Sequence, residues 1–147
     1  MPEVMGIEEQ SFEFPWGEED FIGCLRQRNC IGMVAETAEA VVGFVVYELR
    51  RESIHVLNLA VARTHRRLGV GSMLVEKIFG KLAPDHRGRV CLEVRERNLP
   101  AQLFFRSNGF LAVSVLKDFY RDTTEDAYHM ERCLPGAEQP AIRRKAG

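Results

Sequence analysis

Val56-Leu57-Asn58-Leu59-Ala60-Val61, then Arg66-Arg67-Leu68-Gly69-Val70-Gly71, then Leu74, Val75, Ile78, Phe79 and Leu82 form the stretch on which the fold turns. The first block is nearly continuous in apolar character, which predicts a strand buried on both faces within Ile54 to Ala62. The last block recurs at helical spacing until Pro84 stops it. Between them, Gly69 and Gly71 stand where strand gives way to helix, and such a turn can gather several backbone N–H groups around an anion. Arg63, His65, Arg66 and Arg67 add positive charge beside it, which suits a ligand with several phosphates. Glycine spacing alone fits a closely packed helix start equally well, so context decides. Two familiar phosphate loops are excluded: Gly71-Ser72 lacks the Walker lysine, and Leu74 replaces the third glycine of the dinucleotide fingerprint.

Upstream, Met1 to about Phe12 is weakly helical, Phe14-Pro15-Trp16-Gly17 interrupts it, and a second helix is expected from about Glu18 to Gln27. Ile31 to Thr37 and Val41 to Leu49 are rich in β-branched residues; the short link Glu36-Thr37-Ala38-Glu39 makes them an antiparallel hairpin. Downstream, Val90 to Val94 reads as a buried strand. Asn98 and Pro100 open a short helix carrying Leu103 and Phe104, which Asn108-Gly109 closes. Strands at about Phe110 to Leu116 and Ala127 to Cys133 complete a mixed α/β order.

The chain has 147 residues, 46% of them hydrophobic, enough for one ordinary core. One domain is expected over residues 1–134, with 135–147 a flexible polar tail. Twenty basic and 21 acidic residues nearly cancel to a formal charge of -1, so no global field marks a nucleic-acid binder. Cys24, Cys30, Cys91 and Cys133 show no ligand spacing, so no metal site is expected, and free thiols suit a cytoplasmic location. No apolar run approaches the roughly 20 residues that span a bilayer, so no membrane partner is expected.

In its blocks the sequence resembles the GNAT N-acetyltransferases, whose signature of Gln or Arg, two residues, Gly, one residue, then Gly or Ala is met at every position by Arg66 to Gly71. Within that superfamily it is most similar to the bacterial ribosomal-protein-alanine N-acetyltransferases of the RimI type. The likeness is carried by Phe14-Pro15-Trp16, Leu57-Asn58-Leu59-Ala60-Val61, the glycine turn, and Leu92-Glu93-Val94-Arg95-Glu96-Arg97-Asn98 followed by Ser107-Asn108-Gly109-Phe110. It implies a mixed, mostly antiparallel twisted sheet flanked by helices, with a V-shaped split between central strands. Met1-Pro2-Glu3 leaves no room for the family's first edge strand, so either the sheet lacks it or the sequence begins late; its loss would encourage dimerisation, and a monomer or a homodimer is expected.

The resemblance also implies acetyl-CoA as co-substrate. Pantetheine would pair with the backbone of Leu59, Ala60 and Val61, and Arg66, Arg67, Leu68, Gly69, Val70, Gly71 and Ser72 would hold the pyrophosphate. Asn98 matches a side-chain contact to the cofactor, although capping a helix needs no ligand. Glu93 is the implied general base, its pKa raised by apolar Cys91, Leu92 and Val94; without the resemblance, Glu93 paired with Arg95 is the plainer reading. The family's acidic tyrosine is replaced by Phe105, and Tyr120, between the last strands, is the candidate substitute or else a rim residue touching substrate. His55, His65, His86 and His129 form no catalytic pattern in the sequence.

The acceptor implied is the N-terminal α-amine of a protein, such as a ribosomal protein. Glu3, Glu8, Glu9, Glu13, Glu18, Glu19 and Asp20, all ahead of Arg26, would suit a basic peptide end, or would simply be solvated helix faces. The alternatives are an acetyltransferase for small amines and a CoA-binding regulatory module that lost turnover with its tyrosine.

Overall fold

A computed structural model of the chain describes residues 1–136 and 143–145. Two compact units are formed, one from Met1–Arg50 with Val56–Lys81 and the other from Arg51–His55 with Leu82–Gly147.

In the first unit, α1 (Pro2–Ser11) and α2 (Glu18–Leu25) precede strands β1 (Cys30–Glu36), β2 (Val41–Leu49) and β3 (Ser53–Val61), and helix α3 (Val70–Phe79) follows. The first described element is thus a helix. β1 and β2 pair antiparallel from Cys30–Glu48 to Glu36–Val41. Their turn is closed by Thr37, whose N–H donates to the Ala40 carbonyl at 2.8 Å and whose hydroxyl accepts the Glu39 and Ala40 amides. β3 lies next to β2, and the link of Arg50, Arg51 and Glu52 is too short for a parallel crossover. The buried cluster is Ile7, Phe21, Phe44, Val46 and Ala60, with Trp16 packed against it. Trp16 meets Phe21 edge-on at 5.1 Å, and Phe21 meets Phe44 at 5.6 Å. Full burial of each such ring contributes about 1.5–3 kcal/mol. Gly43 lets α3 approach: a Cβ there would lie 3.1 Å from Val70 Cγ1 and 3.3 Å from the Ala60 carbonyl oxygen.

In the second unit, the start of β3 is joined by β4 (Arg89–Arg95), α4 (Leu99–Ser107), β5 (Leu111–Tyr120), β6 (Glu125–Cys133) and β7 (Arg143–Lys145). The strand order there is β3-β4-β6-β5-β7. A parallel ladder joins Ser53–Arg89, Ile54–Val90 and His55–Cys91. β6 is antiparallel to both β4 and β5, setting Glu93 opposite His129. Asn98 caps α4 as its type and position predict, its carbonyl oxygen accepting the Ala101 amide at 3.2 Å.

β5 runs four residues beyond the expected Leu116 and ends on Tyr120. Tyr120 is therefore a strand-end residue paired with Glu125, not part of a free connection. An irregularity after Leu116 hides this extension from periodicity: Asp118 turns to φ 50°, with its amide on the Asp126 carboxylate at 2.9 Å. Of the expected tail, Arg143–Lys145 pairs parallel with β5, while 137–142 and 146–147 lie outside the described residues. No helix among the described residues is long and apolar enough to cross a membrane.

Candidate active site

The glycine turn belongs to the first unit. Arg67 and Gly69 both have left-handed backbones, with φ 64° and 82°. For arginine that conformation costs about 1–2 kcal/mol, which the surrounding fold must offset. The first hydrogen bond of α3 runs from the Met73 amide to the Gly69 carbonyl at 2.9 Å. The amides of Val70, Gly71 and Ser72 therefore have no carbonyl behind them in the helix, and the helix dipole adds positive potential at the same point. Such a turn is chemically an anion cradle. Leu68, between the two left-handed residues, is exposed.

Arg66 differs from its neighbours. Its Nε donates to the Val61 carbonyl at 3.1 Å and a terminal nitrogen donates to the Ser11 hydroxyl at 3.0 Å, so its guanidinium is engaged within the protein. On β3, Ala60 is buried, while Leu59 and Val61 are half-buried. Asn58 Nδ2 donates to Glu8 Oε1 at 2.7 Å, and the Trp16 amide donates to Glu8 Oε2 at 2.8 Å. Glu8, one of the acids of the first segment, is thus fully buried and holds the Phe-Pro-Trp block against the strand.

The carboxylate expected as base lies in the second unit. Glu93 Oε1 is 2.6 Å from His55 Nε2, and Oε2 is 2.6 Å from His129 Nδ1. His129 Nε2 continues to Glu131 Oε2 at 2.8 Å, and His55 Nδ1 to Cys91 Sγ at 3.2 Å. These groups meet because His55 faces Cys91 in the parallel ladder and Glu93 faces His129 in the antiparallel one.

The expected rise in the Glu93 pKa is reversed here. Burial pushes the carboxyl up, but the hydrogen bonds and charges of His129 and His55 pull harder, to about 2. Conversely, hydrogen bonds to Glu131 and Glu93 raise His129 to about 9. His55 also reaches about 9: burial lowers it, and Cys91 and Glu93 outweigh that. At neutral pH the carboxylate is ionised between two imidazolium rings.

Arg95 does not pair with Glu93. It reaches Asp122 at 2.8 Å and Glu125 at 3.4 Å, and its guanidinium lies 3.9 Å from the Tyr120 ring centroid. Burial lifts the Tyr120 phenol to about 12, against the pull of Arg95. Phe105 is buried in α4 with Phe104 and Phe110 edge-on at 5.0 and 5.4 Å. Sequence reading missed His55 and His129. The available signal was alternation, which places His129 and Glu131 on one face of a strand and Cys91 and Glu93 on one face of another.

The chain is similar to several known proteins. The family model of the acetyltransferase (GNAT) family matches residues 1–110. The ribosomal protein bS18-alanine N-acetyltransferase of Salmonella typhimurium is 26% identical over 120 residues, covering 82% of this chain and 80% of that one. An N-alpha-acetyltransferase of Sulfurisphaera tokodaii is 31% identical over 123 residues, covering 75% and 73%. The crystal structure of the Escherichia coli ribosomal-protein-S18-alanine N-acetyltransferase superposes with a TM-score of 0.79 at 24% identity, covering 94% of this chain and 88% of that one. The sheet orders, the glycine turn ahead of α3 and the matched family model together make this chain an N-acetyltransferase of the GNAT family.

Proposed function

We propose that the protein transfers the acetyl group of acetyl-CoA to the N-terminal α-amine of a protein, a ribosomal protein being one fitting acceptor. The observation that carries this reading is the paired left-handed turn at Arg67 and Gly69, which leaves three amides of α3 without helical partners. In this reading the amides from Arg67 to Ser72 hold the pyrophosphate. Leu59, Ala60 and Val61 offer their remaining backbone groups to pantetheine, the Val61 carbonyl already accepting Arg66. Acetyl-CoA supplies an activated acyl group on a thiol leaving group. Asn98 caps α4 with its side-chain oxygen, and its side-chain NH₂ is the contact offered to the cofactor.

Acetylation needs a neutral amine, and an α-amine of pKa about 7.7–8.0 is largely protonated at pH 7. Glu93 takes the amine proton: an N–H bond breaks, its electron pair stays on nitrogen, and an O–H bond forms on the carboxylate. Tyr120 is the acid. Its phenol stays protonated well above neutrality, so a proton is available for the departing thiolate. The names of the relatives from Salmonella and Sulfurisphaera support a protein N-terminus as acceptor. The test is acetyl-CoA turnover on a panel of N-terminal peptides and small polyamines, with products identified by mass spectrometry. Acetylated peptide α-amines are expected; transfer to polyamines alone, or acetyl-CoA binding with no transfer to either, refutes the reading.

A further inference from the structure

Glu93 is held in an unusual way, with one ring nitrogen on each carboxylate oxygen, both at 2.6 Å. The rings come from two different neighbouring strands, β3 and β6, so the carboxylate can neither rotate nor withdraw without losing a bond. Each ring is anchored behind: His129 by Glu131 at 2.8 Å, and His55 by Cys91 at 3.2 Å. Both rings are largely buried, with side-chain exposures of 5% for His55 and 17% for His129. Each carboxylate oxygen retains a second lone pair, which is what an incoming amine needs.

We propose that His55 and His129 are positioning residues for the acetyl transfer, clamping Glu93 as the base and setting, by their own charge, the pH at which it accepts the amine proton. The proposal rests on the function argued above and goes beyond it by moving control of basicity from the carboxylate to its partners. The imidazolium charges stabilise the carboxylate and weaken it as a base. Loss of one ring proton leaves Glu93 facing less positive charge, and its affinity for the amine proton rises. The pH dependence of kcat then follows the imidazoles, far above the carboxylate range.

On β4, Cys91 bonds to His55, Arg89 lies 3.8 Å from Glu131, and Arg95 is engaged by Asp122 and Glu125. From β5, the half-buried Tyr120 phenol stays neutral, with Arg95, Glu93, Glu125 and Asp122 as the charges acting on it. From β6, Glu131 stabilises the His129 charge.

The experiment has two arms on the full chain. NMR titration of the histidine rings, without substrate, is expected to show two rings keeping their protons to about pH 9 and releasing them at least a unit earlier in Glu93→Gln. The kcat profile with a peptide acceptor whose α-amine is free is expected to move at least one pH unit toward acid in His129→Gln or His55→Gln, with the acceptor KM changing less than kcat. The NMR spectrum of each variant reports whether it is folded, and either histidine variant suffices. An unchanged limb in folded variants of an active enzyme overturns the clamp alone. Absence of wild-type turnover on every peptide overturns the function beneath it, and histidines titrating near 6.5 overturn the clamp directly.

Discussion

Replacing Glu8 by Gln tests the packing of the first unit without changing side-chain size. Glu8 accepts two buried hydrogen bonds, from the Trp16 amide at 2.8 Å and from Asn58 Nδ2 at 2.7 Å. Glutamine has one oxygen and one NH₂ in the same place, so it satisfies one donor and sets an N–H against the other. One charge-assisted hydrogen bond, worth about 1.5–3 kcal/mol, is lost, and relief of carboxylate burial offsets part of it. A net loss of about 2 kcal/mol shifts the melting temperature of a domain this size by about 4–8 °C. Burial raises the Glu8 pKa above its ordinary 4.5, against the Trp16 and Asn58 hydrogen bonds. The sign follows: the protonated form is favoured on folding, so that part of wild-type stability is fully present below 4.5 and lost as pH rises through the raised value. The gap between wild type and Glu8→Gln should therefore narrow as pH rises across that interval. Urea and thermal unfolding, followed by circular dichroism at several pH values, measure it. Equal stability of the two proteins at pH 5, or a gap that widens with pH, refutes the reasoning.

Gly69→Ala puts a side chain at φ 82°, where the expected cost is about 1–2 kcal/mol in stability, read by urea unfolding. Disturbance of even one charge-assisted amide contact should raise the acetyl-CoA KM about tenfold or more, read by thiol release. Tyr120→Phe should lower kcat by about 10²–10⁴, the usual worth of a general acid. Phe105→Tyr should leave kcat within about threefold and lower stability, because its hydroxyl enters a packed ring cluster; a large gain in kcat shows instead that Tyr120 is not the acid. For the Glu93 cluster, raised histidine pKa values predict stabilisation fully present below about 6.5 and lost as pH rises through about 9. The lowered Glu93 pKa predicts stabilisation present above 4.5 and lost as pH falls through about 2. Denaturant midpoints across pH check both limbs, and His129→Gln should flatten them.

Local signals carried most of the element order. Asn98 and Pro100 announced α4, Thr37 and its polar neighbours the first hairpin, and the glycines the start of α3. Each depends on residues a few positions apart, where propensity and capping act. The histidine clamp was illegible for the opposite reason: His55 is 38 positions from Glu93 and His129 is 36, so only the strand registers bring them together. The extension of β5 to Tyr120 depends on an irregular turn at Asp118 that no period reports. Glu8 lay in a segment of weak periodicity and many acids, which gave no sign that this one carboxylate takes a backbone amide and an asparagine out of solvent.

Arg66 serves as a strut, tying the end of the first helix through Ser11 to the last carbonyl of β3. Truncating it to alanine removes a cation beside the turn and, in the same stroke, loosens the helix that carries Glu8. Weaker co-substrate affinity in such a variant has two physical origins, whereas a change at Arg67, which shapes the turn together with Gly69, leaves the strut standing.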